Sequence, residues 1–246
     1  MRSFTTVIVA ALILASTLVS AQPQFQAGGN FSLAFPQKDF TKNIGNTGIG
    51  GAGHFAYRLG RSPFLVGASL GFWIYGSQTR EIPFPGAEEV TVDVTTTNSF
   101  VMGHLLLRVQ PQTGSVRPYI DGLFGFNYLD TSTKISSQDS HSDGDNEIAS
   151  SKNFDDIASN YGFGGGLMFC VYDAVARGHE GNLQGVFVDL SIRSLKGGKA
   201  EYLKEGSIRH ENGNVIYDKY KSETDLVTYH LGVSFDFTIS AHATAE

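Results

Sequence analysis

The chain has 246 residues, with 18 Lys and Arg against 24 Asp and Glu and a formal net charge of −6. An acidic balance without a basic cluster excludes nucleic acid as an expected partner. A single cysteine, Cys170, excludes an intramolecular disulfide framework, so the fold has to be held by other means.

The chain opens MRSFTTVIVAALILASTLVSAQPQ. Arg2 precedes an apolar stretch over residues 7–15, and Val19, Ser20 and Ala21 form a small-residue cleavage pattern, so residues 1–21 are expected to be an export signal. The apolar stretch falls short of the roughly 20 residues that a spanning helix requires. No later segment is apolar for long enough either, so any membrane span has to be built from strands.

Beyond the signal the apolar pattern has period two. In QFQAGGNFSLAF the apolar residues Phe25, Ala27, Phe31, Leu33 and Phe35 are all odd, which is strand alternation and not a helical stripe. Eight such runs follow in order: 24–35, 48–59, 64–76, 94–109, 117–129, 159–172, 183–195 and 226–237. Each could cross a bilayer as a tilted strand of about 9–11 residues. The connections alternate in length. Those at 60–63, 110–115 and 173–182 are short, whereas those at 36–47, 77–93, 130–158 and 196–225 are long and polar. Short turns at one end and long loops at the other are the pattern of an outer-membrane barrel. The expected fold is an all-β, eight-stranded, antiparallel up-and-down transmembrane β-barrel over residues 22–237, with a tail at 238–246.

A soluble barrel would carry Lys and Glu on the outer face of its strands. Here all nine lysines and every glutamate fall outside the eight runs. The polar faces carry small residues instead, for example Gly162, Gly164 and Gly166 opposite Tyr161, Phe163, Leu167 and Phe169. Small side chains suit a crowded barrel interior, which turns the large apolar side chains toward lipid. Outward aromatics are expected at two levels: Phe25, Tyr57, Phe64, Phe169 and Phe235 near the short turns, and Phe35, Phe72, Tyr128, Tyr161 and Tyr229 near the long loops.

The last run, VTYHLGVSFDF, alternates Tyr229, Leu231, Val233, Phe235 and Phe237 and closes on an aromatic. With RPYIDGLFGFNYL at 117–129 and FVDLSIRSLKGGKAEYL at 187–203, it resembles the small eight-stranded outer-membrane barrels of the OmpA/OmpX-like family. The resemblance covers essentially the whole mature chain through patterns of alternation. It implies that the terminal strand is recognised by the outer-membrane assembly machinery. This chain departs from the family by adding TISAHATAE after Phe237, and no peptidoglycan-binding domain is expected.

HFAYR at 54–58 recurs as HLLLR at 104–108. With Phe55, Tyr57, Leu105 and Leu107 facing lipid, His54, Arg58, His104 and Arg108 face the lumen. The same parity sends Asp121, Asp189, Arg193, His230 and Asp236 inward. A hairpin centred on 110–115 sets Arg108 beside Asp121, where opposite charges are favourable. An eight-stranded interior is only wide enough for side chains to fill it, so these charges have to pair. The leading expectation is a salt-bridge network that plugs the lumen; a proton-linked gate and a catalytic or metal site are the alternatives. The three histidines stand on different strands at different heights, and arginines beside them would repel a cation, so no metal and no cofactor is expected.

DSHSDGDNE at 139–147 partly imitates a calcium loop, but Ser150 stands where the bidentate glutamate belongs, and a solvated acidic loop is the expectation. GFGGG at 162–166 lies inside a strand and does not open a helix, which excludes a nucleotide fingerprint. No Ser-His-acid arrangement is legible, and no histidine is followed two places later by serine, the spacing of one lipid A deacylase. The expected protein is therefore not an enzyme. It is a monomeric, multi-pass scaffold in a Gram-negative outer membrane, in contact with lipid and lipopolysaccharide, whose loops meet an unknown extracellular ligand. A narrow gated pore is the second reading, and a lipid-modifying enzyme the third.

Overall fold

The computed structural model describes residues 24–84, 87–137, 147–178, 181–204, 207–211 and 214–239. The expected signal at 1–21, most of the tail and most of the 139–147 acidic loop lie outside the described residues.

Eight strands close a barrel: β1 (Phe25–Pro36), β2 (Gly48–Arg58), β3 (Phe64–Phe84), β4 (Ala87–Val109), β5 (Val116–Ser137), β6 (Glu147–Asp173), β7 (Leu183–Gly197) and, last in the chain, β12 (Leu226–Phe237). Each pairs antiparallel with its neighbour in sequence, and β12 returns to pair with β1 from Phe25↔Phe237 to Pro36↔Leu226. Over the membrane-length runs the described strands form a closed ring of pairs, which is what lets strands cross an apolar medium.

The connections at the other end are more ordered than polar loops. Of the segments 77–93 and 130–158, expected as loops, the described residues 77–84, 87–93, 130–137 and 147–158 instead prolong β3 to β6. The ladder runs on from Gly76↔Asn98 to Pro83↔Thr91 and from Val92↔Ser137 to Asn98↔Thr131. The reason is local: VTVDVTTT and TSTKIS alternate β-branched with short polar residues, which fit a pleated surface as well as apolar ones do. Hydroxyl pairs tie the extension together, Thr79 to Thr95 at 2.9 Å and Thr96 to Thr133 at 3.0 Å. Lys134, Lys152 and Glu147 lie on these prolonged strands, beyond the membrane-length runs.

The remaining connections fold over the mouth. α1 (Lys38–Ile44) follows β1 and buries Phe40 and Ile44. After β7 come β8 (Lys199–Tyr202), β9 (Ile208–Glu211), β10 (Asn214–Tyr217) and β11 (Tyr220–Glu223), paired as β8 with β11 and β9 with β10.

The barrel interior is layered. Toward the mouth it is aromatic: Trp73 stacks on Phe100 at 5.3 Å between centroids, Tyr75 stands 5.9 Å from Phe100, and Phe40 of α1 meets Tyr202 of β8 edge-on at 5.1 Å. The polar atoms of this layer are satisfied, with Trp73 donating to Ser32 Oγ at 3.0 Å and Tyr75 to the Leu203 carbonyl at 3.1 Å. Toward the short turns the interior is charged. Inward glycines of β6 make room for the large side chains there. A Cβ at Gly164 would lie 2.7 Å from Arg193 Cγ, and one at Gly166 would lie 2.6 Å from the Tyr119 hydroxyl. GFGGG is thus the space into which Arg193 and Tyr119 fit.

Candidate functional site

The barrel strands alternate sharply between the two faces. On β4, Leu105 is 69% exposed while its neighbour His104 is 6% and Arg108 0% exposed. The outward side chains include Phe31, Leu70, Ile120, Phe124, Phe163 and Leu231. On β12, Tyr229, Leu231, Val233, Phe235 and Phe237 point outward, opposite Leu33, Phe31, Gly29, Ala27 and Phe25 of β1. At the turn end Phe25 gathers Phe55, Tyr57 and Phe237 within 5.7 Å between centroids, and at the loop end Phe35 meets Tyr229 at 5.5 Å. Phe124 and Phe163 stand at mid-strand opposite Leu105 and Gly122, so the outward aromatics are not confined to two levels.

All nine inward residues named from the sequence lie in the barrel interior. The β4–β5 register sets Arg108 directly opposite Asp121. Arg108 Nε donates to Asp121 Oδ1 at 2.7 Å and Nη2 to Oδ2 at 2.9 Å, while Nη1 donates to Gln26 Oε1 at 2.7 Å. The guanidinium also lies 3.7 Å over the Tyr119 ring. All three nitrogens of this buried guanidinium are therefore engaged, the condition under which an interior charge is tolerated.

The network spreads from that pair. Gln26 Nε2 donates to Asp236 Oδ1 at 2.8 Å, and Arg117 donates to Asp236 Oδ2 at 2.5 Å. Tyr119 donates to Asp189 Oδ1 at 2.7 Å and Ser234 to Oδ2 at 3.1 Å. Arg193 Nη2 lies 3.6 Å from Asp121 Oδ2. Arg58 sits at the turn end, its Nη1 3.5 Å from the carbonyls of Ser62 and Gln110.

The arrangement is not three Arg–Asp pairs, because Asp189 takes two hydroxyls and Arg117 takes Asp236. Gln26, Arg117 and Tyr119 are members that charge counting passed over. Arg117 and Tyr119 share the parity of Asp121, but Arg117 is the first residue of the run at 117–129 and Gln26 and Tyr119 carry no formal charge.

The histidines do not converge. His230 stands between Thr228 Oγ1 and Asn30 Oδ1, each 2.8 Å away. His54 and His104 flank Ser69 in register across β2, β3 and β4. Their Nε2 atoms, Ser69 Oγ and Arg193 Nε have no hydrogen-bond partner among the described residues. Among the described residues no three His, Cys, Asp or Glu form a metal-holding group. Cys170 is a free thiol at a β6 bulge, against the Tyr119, Met168 and Phe187 cluster.

At the mouth one carboxylate joins three elements. Asp225, just before β12, accepts from Lys38 of α1 at 2.8 Å, from Lys196 of β7 at 3.0 Å and from the Gly197 amide at 3.1 Å. Burial works to raise this carboxyl, and the hydrogen bonds from Lys38, Lys196 and Gly197 outweigh it, holding it below the usual carboxylate range.

Closed register, an apolar exterior and a packed polar interior define a transmembrane β-barrel of the small outer-membrane type. No family model and no curated protein matches the chain. Among solved structures it is similar to outer membrane protein OprG from Pseudomonas aeruginosa, at 13% identity over 89% of this chain and 97% of that one, with a TM-score of 0.45. It is also similar to Neisserial surface protein A, at 11% identity over 87% and 96% with a TM-score of 0.37. A third likeness is to Ail, the attachment invasion locus protein of Yersinia pestis, at 15% identity over 88% and 98% with a TM-score of 0.32.

Two predictions follow from these contacts. Asp121→Ala leaves Arg108 buried without its carboxylate and is expected to lower unfolding stability by about 3–5 kcal/mol, whereas Arg108→Met with Asp121→Leu recovers most of the loss. The check is the urea midpoint in micelles, read by the single tryptophan, Trp73.

The second concerns pH. Because the folded carboxyl of Asp225 is depressed, its stabilisation is fully present above the unfolded value, near 3.9, and is lost as pH falls through the lower folded value. Amide exchange of residues 38–44 is expected to stay protected at pH 5 and to open only in stronger acid. In Asp225→Asn it is open at neutral pH.

Proposed function

We propose that the protein is a non-enzymatic barrel of a Gram-negative outer membrane, exported by its N-terminal signal, with its short turns toward the periplasm and its prolonged strands outside the cell. The barrel is a scaffold, and the work is done by what it raises above the membrane, in structural support, adhesion or recognition of a partner at the cell exterior. The observation that carries this reading is the packing at both ends of the interior. Arg108, Asp121 and their partners occupy the turn end, and Trp73, Tyr75, Phe100, Phe40 and Tyr202 occupy the mouth. By contrast β3 to β6 invest many residues in ordered structure beyond the membrane.

The lipid-facing belt suits acyl chains and lipopolysaccharide as neighbours. The outward alternation of Tyr229, Leu231, Val233, Phe235 and Phe237 suits the assembly machinery that inserts such barrels. A closed, edge-free sheet needs no second copy to satisfy its backbone, which favours a monomer.

A gated pore would require the Arg108–Asp121 pair to part and the aromatic layer to move together. Planar bilayers distinguish the readings: the scaffold account predicts no ion conductance from the wild type and none from Arg108→Ala. Steady channels in the variant alone would establish a charge gate, and channels in both would establish a pore.

A further inference from the structure

The prolonged strands enclose a cavity above the aromatic layer. A bulge between Ile74 and Gly76 shifts the parity of β3, so that Gln78, Arg80 and Ile82 line the concave side of the β3–β6 wall. Val94 and Thr96 of β4 and Ile135 of β5 continue that lining, and Ile208 and Tyr217 of β9 and β10 close it from the opposite side. The enclosed volume is about 330 Å³, within the size range of small-molecule sites.

The chemistry of the lining is one-sided. Two cations, Arg80 and Lys204, border the cavity, and no carboxylate does among the described residues, although the chain as a whole is acidic. Arg80 is held by Gln78 Oε1 at 3.0 Å, and the Lys204 ammonium lies 4.2 Å from the Tyr220 ring. Both therefore keep donors for a ligand.

A second feature points the same way. Asn98 is 1% exposed, and its carbonyl oxygen is engaged by the Thr131 hydroxyl at 2.7 Å, yet its Nδ2 amide has no partner among the described residues. A Cβ at Gly76 would come within 3.1 Å of that nitrogen. A buried donor left unpaired costs free energy that a ligand acceptor can recover.

We propose that this cavity is a binding site for a small hydroxylated acid of the uronic-acid class. Arg80 and Lys204 take the carboxylate. The Asn98 amide and the one hydroxyl proton that the Thr96–Thr133 pair leaves free are given to hydroxyl and ring oxygens. Ile82, Val94 and Tyr217 lie against the apolar face of the ring. The inference deepens the recognition role proposed above and rests on it, with the site placed in the strands that the barrel raises.

The test uses the full chain, folded in detergent micelles and titrated calorimetrically with D-glucuronate, D-glucose or inorganic phosphate. Saturable glucuronate binding is expected, about tenfold or more tighter than glucose, the factor that one charge-assisted contact supplies. Arg80→Gln and Lys204→Gln are each expected to weaken it about tenfold, while heat-dependent gel mobility shows that both variants fold. Absence of glucuronate binding to the folded wild type overturns the proposal, as does glucose binding equally well or indifference to both substitutions. Phosphate binding as tightly as glucuronate overturns the hydroxylated class and leaves a simple anion site. None of these outcomes bears on the scaffold reading, which the bilayer recordings decide.

Discussion

Backbone amides and carbonyls cannot be left unpaired in hydrocarbon, and the rest of the structure follows from how the chain meets that constraint. Pairing β12 with β1 removes the last free edge. Once the ladder is closed, side-chain parity is no longer free: each residue of a strand faces either lipid or a narrow interior, and a slip by one position would exchange the two sets. Leu105 and Leu107 can face lipid only because His104 and Arg108 face in.

The interior then has its own requirement. Eight strands leave space for side chains and little else, so every charge placed there has to be matched by near neighbours. Arg108 is matched by both oxygens of Asp121, by Gln26 and by the Tyr119 ring over its guanidinium. Specificity for one register comes from both faces: a slip would turn charges to lipid, and it would also break up this polar interior and the glycines that admit it. Toward the mouth the same space is filled by aromatic packing, with α1 fastened to the end of β7 through Asp225.

Much of the barrel was legible in the sequence because period-two alternation is a direct consequence of the pleat. The eight membrane-length runs, the up-and-down order and the inward parity of His54 or Asp236 needed only the rule that alternate residues share a face. The Arg108–Asp121 pairing needed only a count outward from a short turn. The prolongation of β3 to β6 was not legible in the same way. Threonine and serine alternation outside the membrane has no apolar face to distinguish it from a polar loop, and only its cross-strand partners give it away. Nor did sequence reveal Gln26, whose place in the network depends on β1 lying beside β12, a contact between the two ends of the chain. The cavity around Asn98 depends on a bulge, and a bulge inverts the parity on which the reading relied.

The central claim is that one closed register turns the apolar set to lipid and the charged set inward. Spin labels placed singly at residues 101–108 of β4 test it most directly, by their collision with oxygen dissolved in the bilayer and with a water-soluble nickel complex. The account predicts that oxygen accessibility alternates, high at 101, 103, 105 and 107 and low at 102, 104, 106 and 108, with little nickel accessibility at either set. Nickel accessibility at all eight positions, or oxygen accessibility with no alternation, would contradict it.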